Sequence, residues 1–573
     1  MQKEWIIARE PDHALAEAIA GDNGLHPAIA GVLASRGFDR NTASTHLNPS
    51  LDDLHDPLQM KDMEKAVDRL VNAIRRKEKV VIHGDYDVDG IAGVALLYLF
   101  LQRHNCPVDY YIPDRIEEGY GLSMRGVGWT ADIGASVLVT VDVGTSDLKE
   151  VASAGERGVD VIVTDHHEPG LSLPSTFAML NPKCGDSGYP FHGLSGCGVA
   201  FKLRQAVSKA LDEAPDESYR DLDLVALATV CDVVPLIGEN RILAKFGMEL
   251  LSGSSRPGVT ALKRVAGIDG KDINVYHLGF ILGPRLNAAG RIASATDGLK
   301  LLIAEEEDEA EHLAEKLDTQ NERRKKLNEA IFVEACEMVD GELALENTAG
   351  IVLASPDWHE GVIGIVASRI AEKYHRPTVV ISTDGETGKG SARSVKGFNL
   401  HAGLERCSAL LRSFGGHELA AGLLIDKDKI PALREMFNAV VKEDVLIEDM
   451  TPKVFIDKYL AIREIDGELF SSQERMKPFG LGNPRPVFLS EDVDVVGTPR
   501  VVGRNHLKFK VRDGEVVHDT IAFQMGDMLD AVAVGCGVEL AYTIREDEFR
   551  GRKTLTLHVK DLRVKTAGGE RTG

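Results

Sequence analysis

The sequence predicts an α/β protein in four parts: a parallel-sheet domain, a long helix, a smaller α/β domain and a C-terminal β-barrel. Three observations carry this prediction. From about residue 65 to 235, short β-branched runs alternate with helical patterns, as in a parallel sheet with crossover helices. Residues 305–340 contain neither Gly nor Pro. Beyond about 452 the pattern changes to β runs separated by turn signals.

In chain order, the first fifty residues, with Trp5, read as a partly helical extension without a functional signal. Three runs follow, Lys79–Ile82, Ser136–Val141 and Val159–Thr164, each nearly all apolar, as strands covered on both faces should be. Within 305–340, Leu313, Leu317, Leu327 and Ile331 recur at mostly helical spacings. The acidic first half and basic middle of that segment suit i, i+4 pairing on a solvated helix face. A second α/β unit reads as a strand at Gly350–Ala354, a helix around Ile363 to Tyr374 and a strand at Thr378–Ser382. Lys508–Val511, the Asp513-Gly514 hairpin signal and Thr554–Val559 indicate the small barrel, and the tail beyond it reads as frayed.

At 573 residues the chain is too long for one core, and 43% hydrophobic with 27% charged residues is ordinary for a water-soluble protein. The start, MQKEWIIARE, lacks a signal-peptide apolar run, and Ile91–Leu101 is far short of a bilayer span, so a cytoplasmic protein without membrane attachment is expected. Seven cysteines without a CxxC pair argue against a disulfide framework and a thiolate zinc site. A net charge of -23 excludes a broadly basic, duplex-coating protein, so polyanion binding requires local cationic patches or bound metal.

Residues just beyond the carboxyl ends of parallel strands converge on one crevice. His83, Asp85, Asp87 and Asp89 follow the first run, Asp142 the second, and Asp165, His166 and His167 the third, while Asp232 ends the helical stretch "ATVCDVVPL". A single strand-end Asp is ordinarily a cap or turn residue. Independent capping does not explain HxDxDxD, VDVG, DHH and CDVVPL in one α/β block. Such charges cannot sit together at low dielectric unless cations neutralise them. An oxygen and nitrogen donor set without sulfur favours manganese ahead of magnesium. The donors suffice for two ions sharing a carboxylate, roughly 3.5–4 Å apart, the arrangement used in phosphoester hydrolysis. Anion-binding elements are offered by Arg115 in "PDRIEEGYGL", by Arg285 and Arg291 in "GPRLNAAGR", by Ser391 and Arg393 in "GSARS", and by His417 and backbone amides in "GGHELAAG".

The ordered set "HGDYDVDG", "VDVG", "DHH", "CDVVPL" and "GGHELAAG" resembles the DHH phosphoesterase superfamily, and over about residues 50–565 its bacterial single-strand-specific exonuclease branch. "PFGLGNPRP" is similar to that branch's segment leading into an oligonucleotide-binding barrel. The resemblance implies a domain plan: extension 1–50, DHH catalytic domain 51–300, connecting helix 301–345, DHH-associated substrate-binding domain 346–450, OB-fold-like DNA-binding domain 451–565 and disordered tail 566–573. It places His83, Asp87, Asp89, Asp142, His166 and Asp232 on metal-ligand positions, with Asp142 bridging. His167 would meet the scissile phosphate, Asp165 would orient a neighbouring imidazole, and Asp85 matches an extra acid of the exonuclease branch. The implied DNA-binding set is Arg115, Arg285, Asn287, Arg291, Ser391, Arg393, Gly415, Gly416 and His417. Val88 stands where the family often has Ala, at a position whose side chain is not a ligand.

The resemblance therefore implies a monomeric, metal-dependent 5'-to-3' exonuclease. It would use two Mn2+ ions, or Mg2+, on single-stranded DNA, release 5'-mononucleotides and serve repair and recombination beside a single-strand-binding protein and a helicase. Two alternatives belong to other classes: a small-molecule phosphoesterase of the same superfamily, which would not need the C-terminal barrel, and a catalytically dead DNA-binding scaffold.

Overall fold

The β-branched runs of the N-terminal half form a five-stranded parallel sheet in the computed structural model, which describes residues 3–115, 117–292, 294–446, 450–549, 551–565 and 571–572. The strands are β1 (Val80–Gly84), β2 (Val108–Tyr111), β3 (Val137–Val141), β4 (Asp160–Thr164) and β5 (Ala178–Leu180), in the order β2-β1-β3-β4-β5. Val80, Ile82, Val139 and Ile162 pack into one core with the helices α1 (Val88–Arg103), α2 (Gly196–Ala210) and α3 (Leu222–Cys231). Val81, Leu138, Val161 and Val163 face a second core with Val127 and Val151. Burial on both faces is why these strands read as continuous apolar runs rather than alternating ones. β1 extends two residues past the apolar run, which places His83 within the strand, paired in register with Tyr111 and Thr140.

The chain divides into two units. The first comprises Pro49–Ala330 with Pro478–Asn483, and the second Met1–Asn48, Ile331–Lys477 and Pro484–Gly573. Most of "PFGLGNPRP", expected to lead into the barrel, thus groups with the parallel-sheet unit, where the Leu236 backbone N–H donates to the Leu481 carbonyl at 2.7 Å. The long helix read over 305–340 is Glu307–Glu342; the first residues of the 301–345 segment belong to a separate helix, Thr296–Ile303, and the unit boundary falls inside the long helix.

In the second unit, Ile351–Ser355 and Thr378–Asp384 pair in parallel, and Thr387–Arg393, Ala420–Asp426 and Leu411–Gly416 extend that sheet antiparallel. A closed five-stranded barrel follows: Phe488–Val502, His506–Asp513, Val516–Ala522, Arg552–Lys565 and Gly537–Phe549, the last pairing back to the first. The Asp-Gly signal is borne out, with Asp513 paired to Val516 and Gly514 at φ +62. The N-terminal extension belongs structurally to this unit. Its strand Glu4–Ile7 pairs with Lys453–Ile456, and Trp5 donates to Asp561 at 2.6 Å under the Arg563 guanidinium. Of the tail expected at 566–573, only 571–572 fall among the described residues, as a short strand beside Arg552–Lys565.

A buried ion pair ties the sheet unit together. Lys202 Nζ on α2 lies 2.6 Å from Glu239 Oε1, with both side chains at most 1% exposed. Glu239 also accepts from the Tyr189 hydroxyl at 2.6 Å and the His55 backbone N–H at 3.0 Å, and Lys202 donates to the His55 carbonyl. Removing one partner leaves an uncompensated buried charge, which is far costlier than the net worth of the pair. Lys202→Met is expected to destabilise this unit by about 3–5 kcal/mol in urea titrations. Lys202→Met with Glu239→Gln should recover a large part of that loss, and a double variant as unstable as the single one would contradict the account.

Candidate metal centre

Each carboxylate of the first motif is positioned by the turn from β1 into α1. Asp87 caps α1, its Oδ1 accepting from the Asp89 and Gly90 backbone N–H groups at 2.9 and 3.3 Å. Asp89, in the first turn, accepts from Gly196 and Cys197 N–H at 2.6 and 2.9 Å, and so is held by the N-terminus of α2. Gly90 is required by close approach, since a Cβ there would stand 2.4 Å from the Asp85 carbonyl oxygen. Asp142 follows β3 in a left-handed conformation, φ +64, and a Cβ on Gly196 would stand 2.6 Å from its Cβ. Asp232 is the C-cap of α3.

These residues converge. Ligand atoms of Asp85, Asp87 and Asp142, of Asp89, His166 and Asp232, and of Asp142, His166 and His167 lie within 4.8 Å of one another in each group. Asp142 and His166 each belong to two of the three groups. His166 Nε2 stands 3.1 Å from Asp142 Oδ1, 3.5 Å from Asp232 Oδ2 and 3.9 Å from Asp89 Oδ2. Burial, with His167 beside it, lowers the His166 pKa to about 3, so the ring is neutral. Its contact with the Leu194 backbone falls to Nδ1, because Nε2 makes no hydrogen bond. A lone pair therefore faces three carboxylate oxygens.

The carboxylates are no better off. Burial, then repulsion from Asp87, raises Asp85 well above the usual range and Asp89 to about 7. Burial, then Asp89 and Asp87, raises Asp142 strongly and Asp232 to about 9. Asp85 Oδ1, Asp142 Oδ1, Asp232 Oδ2 and His166 Nε2 are all buried without hydrogen-bond partners. Orphaned oxygen and nitrogen donors aimed at one another are what hard to borderline divalent cations satisfy. The residues present fit such ions.

Asp165 behaves oppositely. Although burial opposes it, hydrogen bonds with His167 and Thr145 hold its pKa well below the usual range. Its Oδ1 accepts from His167 Nδ1 at 2.8 Å, and its Oδ2 from Thr145 N–H at 2.9 Å. The same contact raises the pKa of His167 against the pull of burial.

Several sequence candidates lie elsewhere. The structure does not bring His83 into any of the three groups. The pleat sends it to the face of Val81, where it stacks on Tyr111 at 5.2 Å against Gly126. Burial lowers its pKa to about 4, and neither ring nitrogen has a partner. Arg115 lies over the Tyr86 ring at 4.8 Å on the wall of a cavity of about 300 Å³ shared with Tyr111, Arg125 and Gly290. Arg285 is engaged internally, donating to Asp318 at 2.9 Å and the Ile281 carbonyl at 2.7 Å. Asn287 Oδ1 accepts from the Val88 N–H at 3.0 Å, which fixes the start of α1. Arg291 acts electrostatically on Tyr86. Ser391 and Arg393, 3.1 Å apart, approach Gly364 at the start of Ile363–Tyr374, and Gly415, Gly416 and His417 are exposed, all in the second unit.

Sequence reasoning passed over Tyr120 and Asn181. The Tyr120 hydroxyl donates to the Asp142 carbonyl at 3.1 Å and lies 3.1 Å from His167 Nε2. Asn181 bridges Thr145 Oγ1 and the His167 carbonyl at 2.9 Å each. Neither position carries a local signal beyond the "GYGL" turn, because each acts on a residue distant in sequence.

Comparison with known proteins follows the same division. The DHH family, N-terminal domain matches residues 79–229, the DHHA1 domain 347–443 and the RecJ OB domain 456–561. The single-stranded-DNA-specific exonuclease RecJ of Bacillus subtilis is 38% identical over 98% of this chain and 71% of its own length. That of Escherichia coli is 36% identical over 94% and 96%. The crystal structure of RecJ from Thermus thermophilus in complex with Mn2+ superposes with a TM-score of 0.85 at 30% identity, covering 98% of this chain and 80% of that one.

The raised carboxylates make the metal-free centre pH-sensitive. A carboxyl whose folded pKa exceeds its unfolded value of about 3.9 binds more protons in the native state, so stability falls as pH rises through that window. The window runs to about pH 7 for Asp89 and about pH 9 for Asp232. In chelator, the thermal midpoint of this unit is expected to decline from pH 5 to 9. Saturating Mn2+ or Mg2+ at pH 8 should raise it by about 5 °C or more. Asp142→Asn should weaken both effects in differential scanning fluorimetry, and a midpoint indifferent to cation would contradict the assignment.

Proposed function

The chain belongs to the RecJ family of single-stranded-DNA-specific exonucleases, and on that premise we propose that it hydrolyses single-stranded DNA from the 5' end, releasing 5'-mononucleotides. The observation that carries this reading is the set of orphaned, buried donors on Asp85, Asp142, His166 and Asp232. Asp87 and Asp89 complete the set, and with it would hold two divalent ions, manganese or magnesium, Asp142 being the shared carboxylate. Bound there, such ions supply an activated water at neutral pH and neutralise charge developing on phosphoryl oxygens.

The chain's own residues supply orientation. Asp165 Oδ1 accepts a hydrogen bond from His167 Nδ1 at 2.8 Å and favours the protonated ring. That leaves Nε2–H as the atom to meet a phosphoryl oxygen, with the Tyr120 hydroxyl packed against the ring at 3.0 Å from Nδ1 and 3.1 Å from Nε2. Asp85 joins the ligand set by its place beside Asp87 and Asp142, whereas His83 acts from the neighbouring face. Arg115, Arg285, Asn287, Arg291, Ser391, Arg393, Gly415, Gly416 and His417 are the proposed contacts to the DNA backbone, Arg285 and Asn287 being held by the Ile281 carbonyl and the Val88 N–H. The five-stranded barrel favours a polymeric substrate over a small phosphoester.

Among the described residues no helix is long and apolar enough to cross a membrane. The enzyme is proposed to work as a cytoplasmic monomer in repair and recombination. A helicase that exposes single strands and a protein that coats them are its partner classes.

Digestion of single-stranded oligonucleotides labelled at either end tests the reaction. With Mn2+, a 5'-label is expected to appear at once as mononucleotide while a 3'-label shortens progressively; the reverse order would overturn the polarity. Asp165→Asn should lower kcat by about 10- to 100-fold, as loss of an orienting partner does. It should also narrow the alkaline side of the pH profile, because the working protonated ring is lost at lower pH once the His167 pKa falls. An unchanged profile would remove Asp165 from this role.

A further inference from the structure

Outside the carboxylate cluster, the sheet unit carries an exposed aromatic step. Tyr276 and Phe280 are 61% and 72% exposed, and their rings stack at 5.4 Å between centroids and 21° between planes. Among the described residues they are the one pair of exposed Tyr, Phe or Trp rings in mutual contact. Phe280 stands on a π-helical turn, His277–Leu282, that Tyr276 immediately precedes, and the opposite side of the turn is anchored: Leu278 and Leu282 are at most 1% exposed.

That turn is seated on the helix that ends at Asp232. Cys231 Sγ contacts the Leu278 carbonyl at 3.5 Å, and a Cβ on Gly283 would stand 2.4 Å from the same sulfur. The next helix, Gly283–Ile292, fixes the start of α1 through Asn287. The stacked rings are therefore rigidly tied, from both ends, to elements that carry cluster carboxylates.

Leaving two large rings in water is unfavourable, and such patches mark binding surfaces. With a net charge of -23 the chain gains little from broad electrostatic attraction to DNA, so affinity for a strand must draw on contacts that salt does not screen. Unpaired bases offer such contacts through their flat faces, which a duplex keeps occupied by its own stacking. We propose that Tyr276 and Phe280 form a base-stacking platform for nucleobases of the single strand, a site that favours unpaired over paired DNA. This rests on the exonuclease reading.

The test compares oligo(dT) with a strand of equal length in which abasic residues replace most nucleotides. Dissociation constants are measured by anisotropy in chelator, and KM by Mn2+-dependent digestion. Tyr276→Ala and Phe280→Ala should each weaken oligo(dT) binding about five-fold or more, at low and high salt alike, and raise KM similarly. Neither should alter binding of the abasic strand, which the wild type already binds weakly. Phe280→Leu, apolar but not planar, should resemble Phe280→Ala. Phe280→Trp should retain binding, and its added emission should be quenched by oligo(dT) but not by the abasic strand. Equal losses on both strands, or no loss on either, would overturn the platform. If an alanine variant fails to fold, the Phe280→Trp quench decides alone. Failure of the wild type to digest oligo(dT) would instead count against the exonuclease reading, and the quench would still report on the platform.

Discussion

Repulsion among buried carboxylates at the carboxyl edge of the parallel sheet is the constraint on which this molecule turns. Asp85, Asp89 and Asp142 are each at most 4% exposed, and Asp232 and Asp87 adjoin them. A fold that gathers such groups stores unfavourable electrostatic energy unless cations are bound. The rest of the unit reads as the means of holding that arrangement: apolar strands with no freedom to slip, helix N-termini that offer N–H groups to Asp87 and Asp89, and a left-handed backbone at Asp142.

Two acids in the same crevice are driven in opposite directions by their surroundings. Burial, then crowding by like charges, pushes Asp142 up, whereas Asp165, against the same burial, collects N–H donors from Thr145, His166 and His167 and is held down. Environments that separate like groups in this way assign them different work, one to cations and the other to orienting an imidazole. Elsewhere in the unit, buried charges such as Lys202 and Glu239 satisfy one another, whereas Asp85, Asp142, His166 and Asp232 keep orphaned atoms at the place where a cation can complete them.

Much of this was legible in the sequence because strand-end residues converge regardless of how the intervening helices pack. VDVG and DHH needed only the parallel-sheet inference, and Asp232 only the end of an apolar helix. His83 lies outside the three groups for one structural reason: β1 continues two residues past its apolar run, and the ring stacks on Tyr111. Tertiary structure adds internal partners that the sequence does not show: Arg285 donates to Asp318 and to the Ile281 carbonyl, and Asn287 Oδ1 accepts from the Val88 N–H. The N-terminal fifty residues carried no motif, and the pairing of their strand Glu4–Ile7 with Lys453–Ile456 joins segments too far apart in the chain for a local signal.

The sequence by itself determined the parallel-sheet class, the charge that rules out general polyanion binding, and the residue types gathered at the strand ends. These follow from local apolar periodicity and from counting charges, which need no knowledge of long-range contacts. Tertiary structure alone decided which donors meet within 4.8 Å, which acids are neutralised by neighbours and which are left orphaned, and that Tyr276 and Phe280 stay in water. Those outcomes depend on distances between elements far apart in the chain, and a pKa or an exposed face is a property of that packing rather than of any residue.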